Sequence, residues 1–128
     1  MTTKNLPALL YNRHVLLLKP KQPFLDWLKS DPLPPSMTLD QLQEDCTAYL
    51  IPEFDTNDAA EKWVMKRWRW FFEEELHGWI VDPELWPDTL TPKTFTQFFD
   101  MEIHSMVMDV SGKELEVDDM GTVRAICT

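Results

Sequence analysis

Residues 58–80, reading DAAEKWVMKRWRWFFEEELHGWI, constrain the fold of this chain more than any other stretch. The run holds four of the six tryptophans, a Phe pair, three consecutive glutamates and one of the three histidines. Asp58 and Glu61 form a D-x-x-E start signal, and Gly78 lies where a helix stop is wanted. The segment therefore predicts one long central helix. At about 100° per residue, Val64, Met65, Trp68, Phe71, Phe72, Leu76 and Trp79 share one broad arc, which must face a core. Trp63, Trp70 and His77 recur at i, i+7 and i+14 on another side. A second layer covers that stripe, which is the plainer expectation, or it is an exposed contact surface.

Glu75 is the anomaly of this helix. Its azimuth falls inside the apolar arc, between Trp68 and Phe71. An unpaired buried carboxylate costs several kcal/mol, so Glu75 must be paired, protonated or near solvent. Glu75 is expected to be substantially buried and to contact a cation or several donors, with Lys19, Lys21 and Arg13 the favoured partners and His104 next. Glu73 and Glu74 read as solvated residues of the helix end, where the macrodipole disfavours anions by about 0.3–1 kcal/mol each.

The flanking segments alternate between strand and helix patterns. Residues 13–19, RHVLLLK, read as a buried strand stopped by Pro20. Phe24, Trp27 and Leu28 take i, i+3, i+4 spacing on a helix that DPLPPS ends. Thr38 opens a T-x-x-Q capping box, which predicts a short helix over residues 39–45. CTAYLIP, residues 46–52, reads as a second strand. Asp82 to Asp88 forms a proline-bounded turn. Thr91-Pro92 starts a helix over residues 92–101 that buries Phe95, Phe98 and Phe99. Residues 102–110 read as a third strand, and Ser111-Gly112 as a hairpin turn into residues 114–117. Residues 1–12 and 119–128 read as loose ends, the last with some edge-strand character.

The order predicts an α+β protein: a single two-layer domain spanning residues 1–128. Its sheet is small, of three to five strands, mostly antiparallel or mixed, with helices on one face and the Trp-rich helix across it. The first half is similar to a ferredoxin-like β-α-β unit, a likeness that carries no function. Trp27, Val64, Trp68, Phe71, Phe72, Trp79, Phe95 and Phe99 are the expected core.

Charge and motif content exclude more than they select. The formal charge is −10, from 22 acids against 12 bases; residues 1–30 carry Lys4, Arg13, Lys19, Lys21 and Lys29 against only Asp26, and the rest of the chain is strongly acidic. Such a surface repels nucleic-acid phosphates and anionic membranes and suits a basic protein partner. The start of the chain lacks the apolar core of a signal peptide, and the longest aliphatic run, residues 15–18, is far too short to span a bilayer. Cys46 and Cys127 lie far apart with no C-x-x-C spacing, so a reducing cytoplasm is the expected setting. Three glycines leave no phosphate-cradling loop, and no G-x-S-x-G occurs. Cys46, inside an apolar strand, reads as a packing residue.

Two functional readings compete. The favoured one is a non-enzymatic interaction or adaptor protein that uses an acidic surface and the aromatics Trp63, Trp70 and Trp86. It needs no cofactor, and it is compatible with self-association. The alternative is a small metal-binding protein or metalloenzyme. Glu74-x-x-His77 has the spacing of a di-iron helix motif. His104 would add a third ligand if its strand crossed the helix end. Glu74, Glu75, His77 and His104 thus form the candidate polar cluster, but the chain has no second E-x-x-H, and no metal site is expected.

The blocks KPKQPFLDW, YLIPEFD, FFEEELHGW, ELWP and FFDMEIHSMVMDV together resemble a family of small, cytoplasmic bacterial proteins with no assigned activity. The likeness covers roughly residues 13 to 110. It implies a bacterial single domain and transfers no catalytic role.

Overall fold

Two small antiparallel sheets organise the chain in a computed structural model that describes residues 8–118. The strands are β1 (Ala8–Leu9), β2 (Arg13–Pro20), β3 (Ala48–Pro52), β4 (Phe99–His104) and β5 (Met108–Asp109). The helices are α1 (Gln22–Lys29), α2 (Leu39–Glu44), α3 (Asn57–Met65), α4 (Trp68–His77) and α5 (Pro92–Phe98), with a 3₁₀ turn at Pro83–Leu85. The main sheet has the order β3-β2-β4, and β1 pairs with β5 in a separate ribbon. The α+β class and the small antiparallel sheet follow from this arrangement.

The first half is not a β-α-β unit. That unit needs parallel strands, whereas β2 and β3 are antiparallel neighbours, with Leu16 opposite Tyr49 and His14 opposite Ile51. Because side chains alternate across a strand, Leu16 and Leu18 of β2, Ile51 of β3 and Phe99 of β4 share the buried face. The opposite face carries Lys19, Asp100, Glu102 and His104.

Thr38 caps α2 with a complete capping box and Thr91 caps α5, as their sequence signals place them, whereas α3 is capped by Thr56 rather than begun at Asp58; each threonine accepts a backbone N–H. The helix α5 stops at Phe98, earlier than the expected residue 101, because Phe99 takes extended geometry and enters β4. Residues 114–117 form no strand. The expected edge strand in residues 119–128 lies outside the described residues.

The largest departure is in the Trp-rich segment, which is two helices rather than one. Its break carries neither proline nor glycine. Arg67 has φ −119° and ψ 23°, off the helical region. Its Nη1 donates to the Trp63 carbonyl at 3.1 Å, and its guanidinium sits 4.0 Å from the centre of the Trp63 ring. That carbonyl is the acceptor the Arg67 N–H would use in a continuous helix. The amide turns instead to Val64 O at 2.9 Å. A side chain has thus inserted itself into the i→i−4 ladder, a recognised cause of helix breaks.

The core forms where α1, α4, α5 and β4 meet. Phe72 is fully buried, with ring centroids 5.3, 5.6 and 6.0 Å from Phe98, Phe95 and Phe99. Phe24 closes the cluster from α1 against the same pair, Phe98 and Phe99. Of the expected core, Val64, Phe71, Phe72, Phe95 and Phe99 are buried, and Trp27 and Trp68 are half-buried. Trp79 is 43% exposed, because it lies past the end of α4, where the arc no longer applies.

Candidate functional site

The edge of the sheet at β3 and the two Trp-bearing helices enclose a groove of about 400 Å³. Tyr49, Leu50, Ile51 and Pro52 line it from the strand, Trp63, Trp70 and Phe71 from the helices, and Arg13 from β2. The rings hold one another at angles. Tyr49 meets Phe71 edge-on with centroids 5.0 Å apart, and Trp70 meets Phe71 at 5.2 Å and 90°. Phe54 and Phe71 flank Trp63 at 6.1 and 6.4 Å. Such edge-to-face contacts pin rings that would otherwise be loose at a surface. Trp63 and Trp70, separated by the helix break, line the same groove.

Beneath this groove lies Glu75, the one buried charged side chain among the described residues, 8% exposed. The Tyr49 hydroxyl donates to its Oε2 at 2.5 Å, and the Thr47 hydroxyl stands near enough to favour its charged form. Burial pushes the Glu75 carboxyl above the ordinary glutamate value, the two hydroxyls pull it back, and the neighbouring Glu74 charge pushes it further up. Burial, and then the adjacent carboxylate, holds the Tyr49 phenol well above its ordinary value, so it stays a neutral donor.

The expected cations are not partners of Glu75. Lys19 pairs with Glu102 at 3.0 Å, Lys21 with Asp100 at 3.5 Å, and Arg13 bonds the Asn12 carbonyl. His104 bonds Glu102 at 2.7 Å. The reason is strand alternation, since Lys19, Glu102 and His104 occupy the sheet face away from α4. Glu102 is held below the usual carboxylate range, first by His104 and then by Lys19. The Tyr49 hydroxyl of β3 stands where a charge was expected.

The same alternation separates the candidate polar cluster. Glu74, Glu75 and His77 ride on α4, whereas His104 projects from the opposite face of β4. Among the described residues, no group of three or more His, Cys, Asp or Glu side chains is placed to hold a metal ion. Trp86 lies beside the 3₁₀ turn, its indole N–H donating to the Ile80 carbonyl at 2.7 Å, and it does not line the groove. Burial raises the Cys46 thiol above its ordinary value, which favours the thiol over the thiolate a nucleophile needs.

Tyr49, Thr47 and Leu50 did not stand out in the sequence. One signal was present: Pro52 within a strand pattern marks an edge, and an edge beside an aromatic helix makes a groove.

The fold and groove define an antiparallel α+β protein with an aromatic-lined sheet edge. Comparison with known protein families, curated proteins and solved structures returns no match. Among the described residues, no helix is long and apolar enough to cross a membrane.

Proposed function

We propose that this chain is a non-enzymatic interaction protein that docks a protein partner on the Tyr49–Trp63–Trp70 groove. The observation that carries this reading is the groove itself: three pinned, half-buried aromatic rings beside a strand at the sheet edge. Rigid aromatics of this kind anchor interfaces because they bury large area at small entropic cost. The polar support fits the same role. A Glu75 carboxyl bonded by the Tyr49 hydroxyl and enclosed by rings is arranged to hold Tyr49 in place, not to exchange protons with a substrate. The acidic balance of the chain suits a basic partner, and the wide cysteine spacing suits a reducing, cytoplasmic setting in a bacterium.

The test is affinity capture from the source cell with the native protein, Trp70→Ala and Leu50→Asp, followed by calorimetry with the purified partner. Wild-type protein should retain a partner that both folded variants lose. A partner bound equally by all three would place the docking face elsewhere and refute the groove reading.

A further inference from the structure

β3 is an edge strand, and the direction of its free backbone groups can be worked out. The Leu18 N–H donates to the Thr47 carbonyl at 3.5 Å, which sets the phase of the β2–β3 ladder. Leu18/Thr47, Leu16/Tyr49 and His14/Ile51 are then the hydrogen-bonded pairs. Ala48 and Leu50 turn their N–H and C=O groups to the open edge. Both residues are exposed, and among the described residues no hydrogen bond to these groups is found.

A strand laid on this edge would have a defined side-chain pattern. Its alternate residues would fall on the helix side, into the pocket of Trp63, Trp70 and Phe71. The others would lie on the outer face beside Leu50, which is 53% exposed. The backbone would supply the pairing and the rings a selective pocket, which is the division of labour in strand addition.

The charge at the two ends of β3 selects the occupant. Glu44 and Asp45 precede the strand, and Glu53 and Asp55 follow it, with no Lys or Arg from residue 44 to residue 55. All four are exposed, and none has an ion-pair partner among the described residues. Among the described residues, Arg13, already bonded to the Asn12 carbonyl, is the one cation lining the groove. A second copy of this chain is a poor occupant. Antiparallel pairing of two β3 edges sets Glu44 and Asp45 of one against Glu53 and Asp55 of the other, and parallel pairing sets like ends together. Like charges across such a contact are destabilising.

We infer that the free edge of β3 and the Trp63–Trp70 groove together receive an extended segment of a partner protein by strand addition. That segment carries alternating apolar side chains with lysine or arginine at both ends. This rests on the reading of the chain as an interaction protein and specifies how the partner is held.

The probe is a pool of peptides about nine residues long, with alternate positions drawn from Val, Ile, Thr, Leu and Phe and two lysines at each end. A matched pool carries glutamates at the ends. Titration into isotope-labelled protein should shift the Trp63 and Trp70 indole signals and protect the Ala48 and Leu50 amides from exchange. The glutamate pool should bind at least tenfold more weakly. Leu50→Pro removes an outward N–H that no internal bond uses, so it should fold and bind at least tenfold more weakly. Lysine-ended peptides N-methylated at alternate backbone positions give the same test on unaltered protein, and they too should lose at least tenfold. If N-methylated and parent peptides bind alike, strand addition is wrong, although the groove would remain a docking face. Equal binding of the two pools would remove the basic partner. Failure of both pools to bind overturns the inference, and the broader interaction reading is then decided separately by the Trp70→Ala capture experiment.

Discussion

Replacing Tyr49 with Phe removes one oxygen and leaves the ring against Phe71 and Trp70. The lost bond is short, 2.5 Å, and its acceptor is a carboxylate only 8% exposed. Hydrogen bonds to charged groups contribute about 1.5–3 kcal/mol, and short O–H···O⁻ contacts lie toward the stronger end. The expected loss of unfolding free energy for Tyr49→Phe is therefore about 1.5–3 kcal/mol at pH above the raised Glu75 value, where the carboxyl is ionised. The pH dependence separates this from a packing effect. Because burial raises the folded-state value of Glu75, the native protein holds more of its proton than the unfolded chain does. Stability from this group is highest below the ordinary glutamate value, falls as pH rises to the raised folded value, and is level above it. Losing the Tyr49 donor raises the folded value further and widens that window. The gap between wild type and Tyr49→Phe should thus be small near pH 4 and grow with pH. Urea unfolding of both proteins across this range measures it. A loss that is the same at every pH, or under about 0.5 kcal/mol throughout the range, would refute the hydroxyl's role as the carboxylate's support.

Phe72→Ala should cost about 3–5 kcal/mol in urea unfolding, because a fully buried ring loses four aromatic neighbours; a cost under about 1.5 kcal/mol would mean the site collapses around the gap. Gly78→Ala should stabilise by about 0.4–1 kcal/mol. Gly78 has φ −62°, and an added Cβ would meet its nearest atoms at 3.5 and 3.6 Å, which is ordinary contact. A melting temperature lowered by this change would refute the fit. Zinc, manganese or iron should leave the melting temperature unchanged, whereas a ligand at about 100 times its Kd would add about 2.7 kcal/mol; an upward shift abolished by His77→Ala would restore the metal reading.

Local signals carried well from sequence to structure. The Thr38 capping box and the Thr91-Pro92 start are short-range chemistry, complete within a single turn. The burial of Phe71, Phe72 and Phe95 followed from helical spacing, and the burial of Glu75 from its azimuth. Its partners did not follow, because they depend on which strand face each residue takes, and that depends on register. Lys19 was expected beneath α4 and lies on the far face with Glu102. The groove was hidden for a related reason. Trp63 and Trp70 were visible as a stripe, but which strand would stand beside them is a matter of topology. The break at Arg67 had no sequence marker, since it arises from one side chain reaching back to a carbonyl.

That break bears on how the molecule folds. A continuous helix over residues 58–80 would have been long enough to form early on its own. Its two successors have 9 and 10 residues, and isolated helices shorter than about 12–15 residues are marginal in water. Each therefore needs the sheet to hold it, and the sheet needs β4, which arrives from the far end of the chain. Helix and strand must then consolidate together, so the groove between them should exist only once the whole domain is assembled.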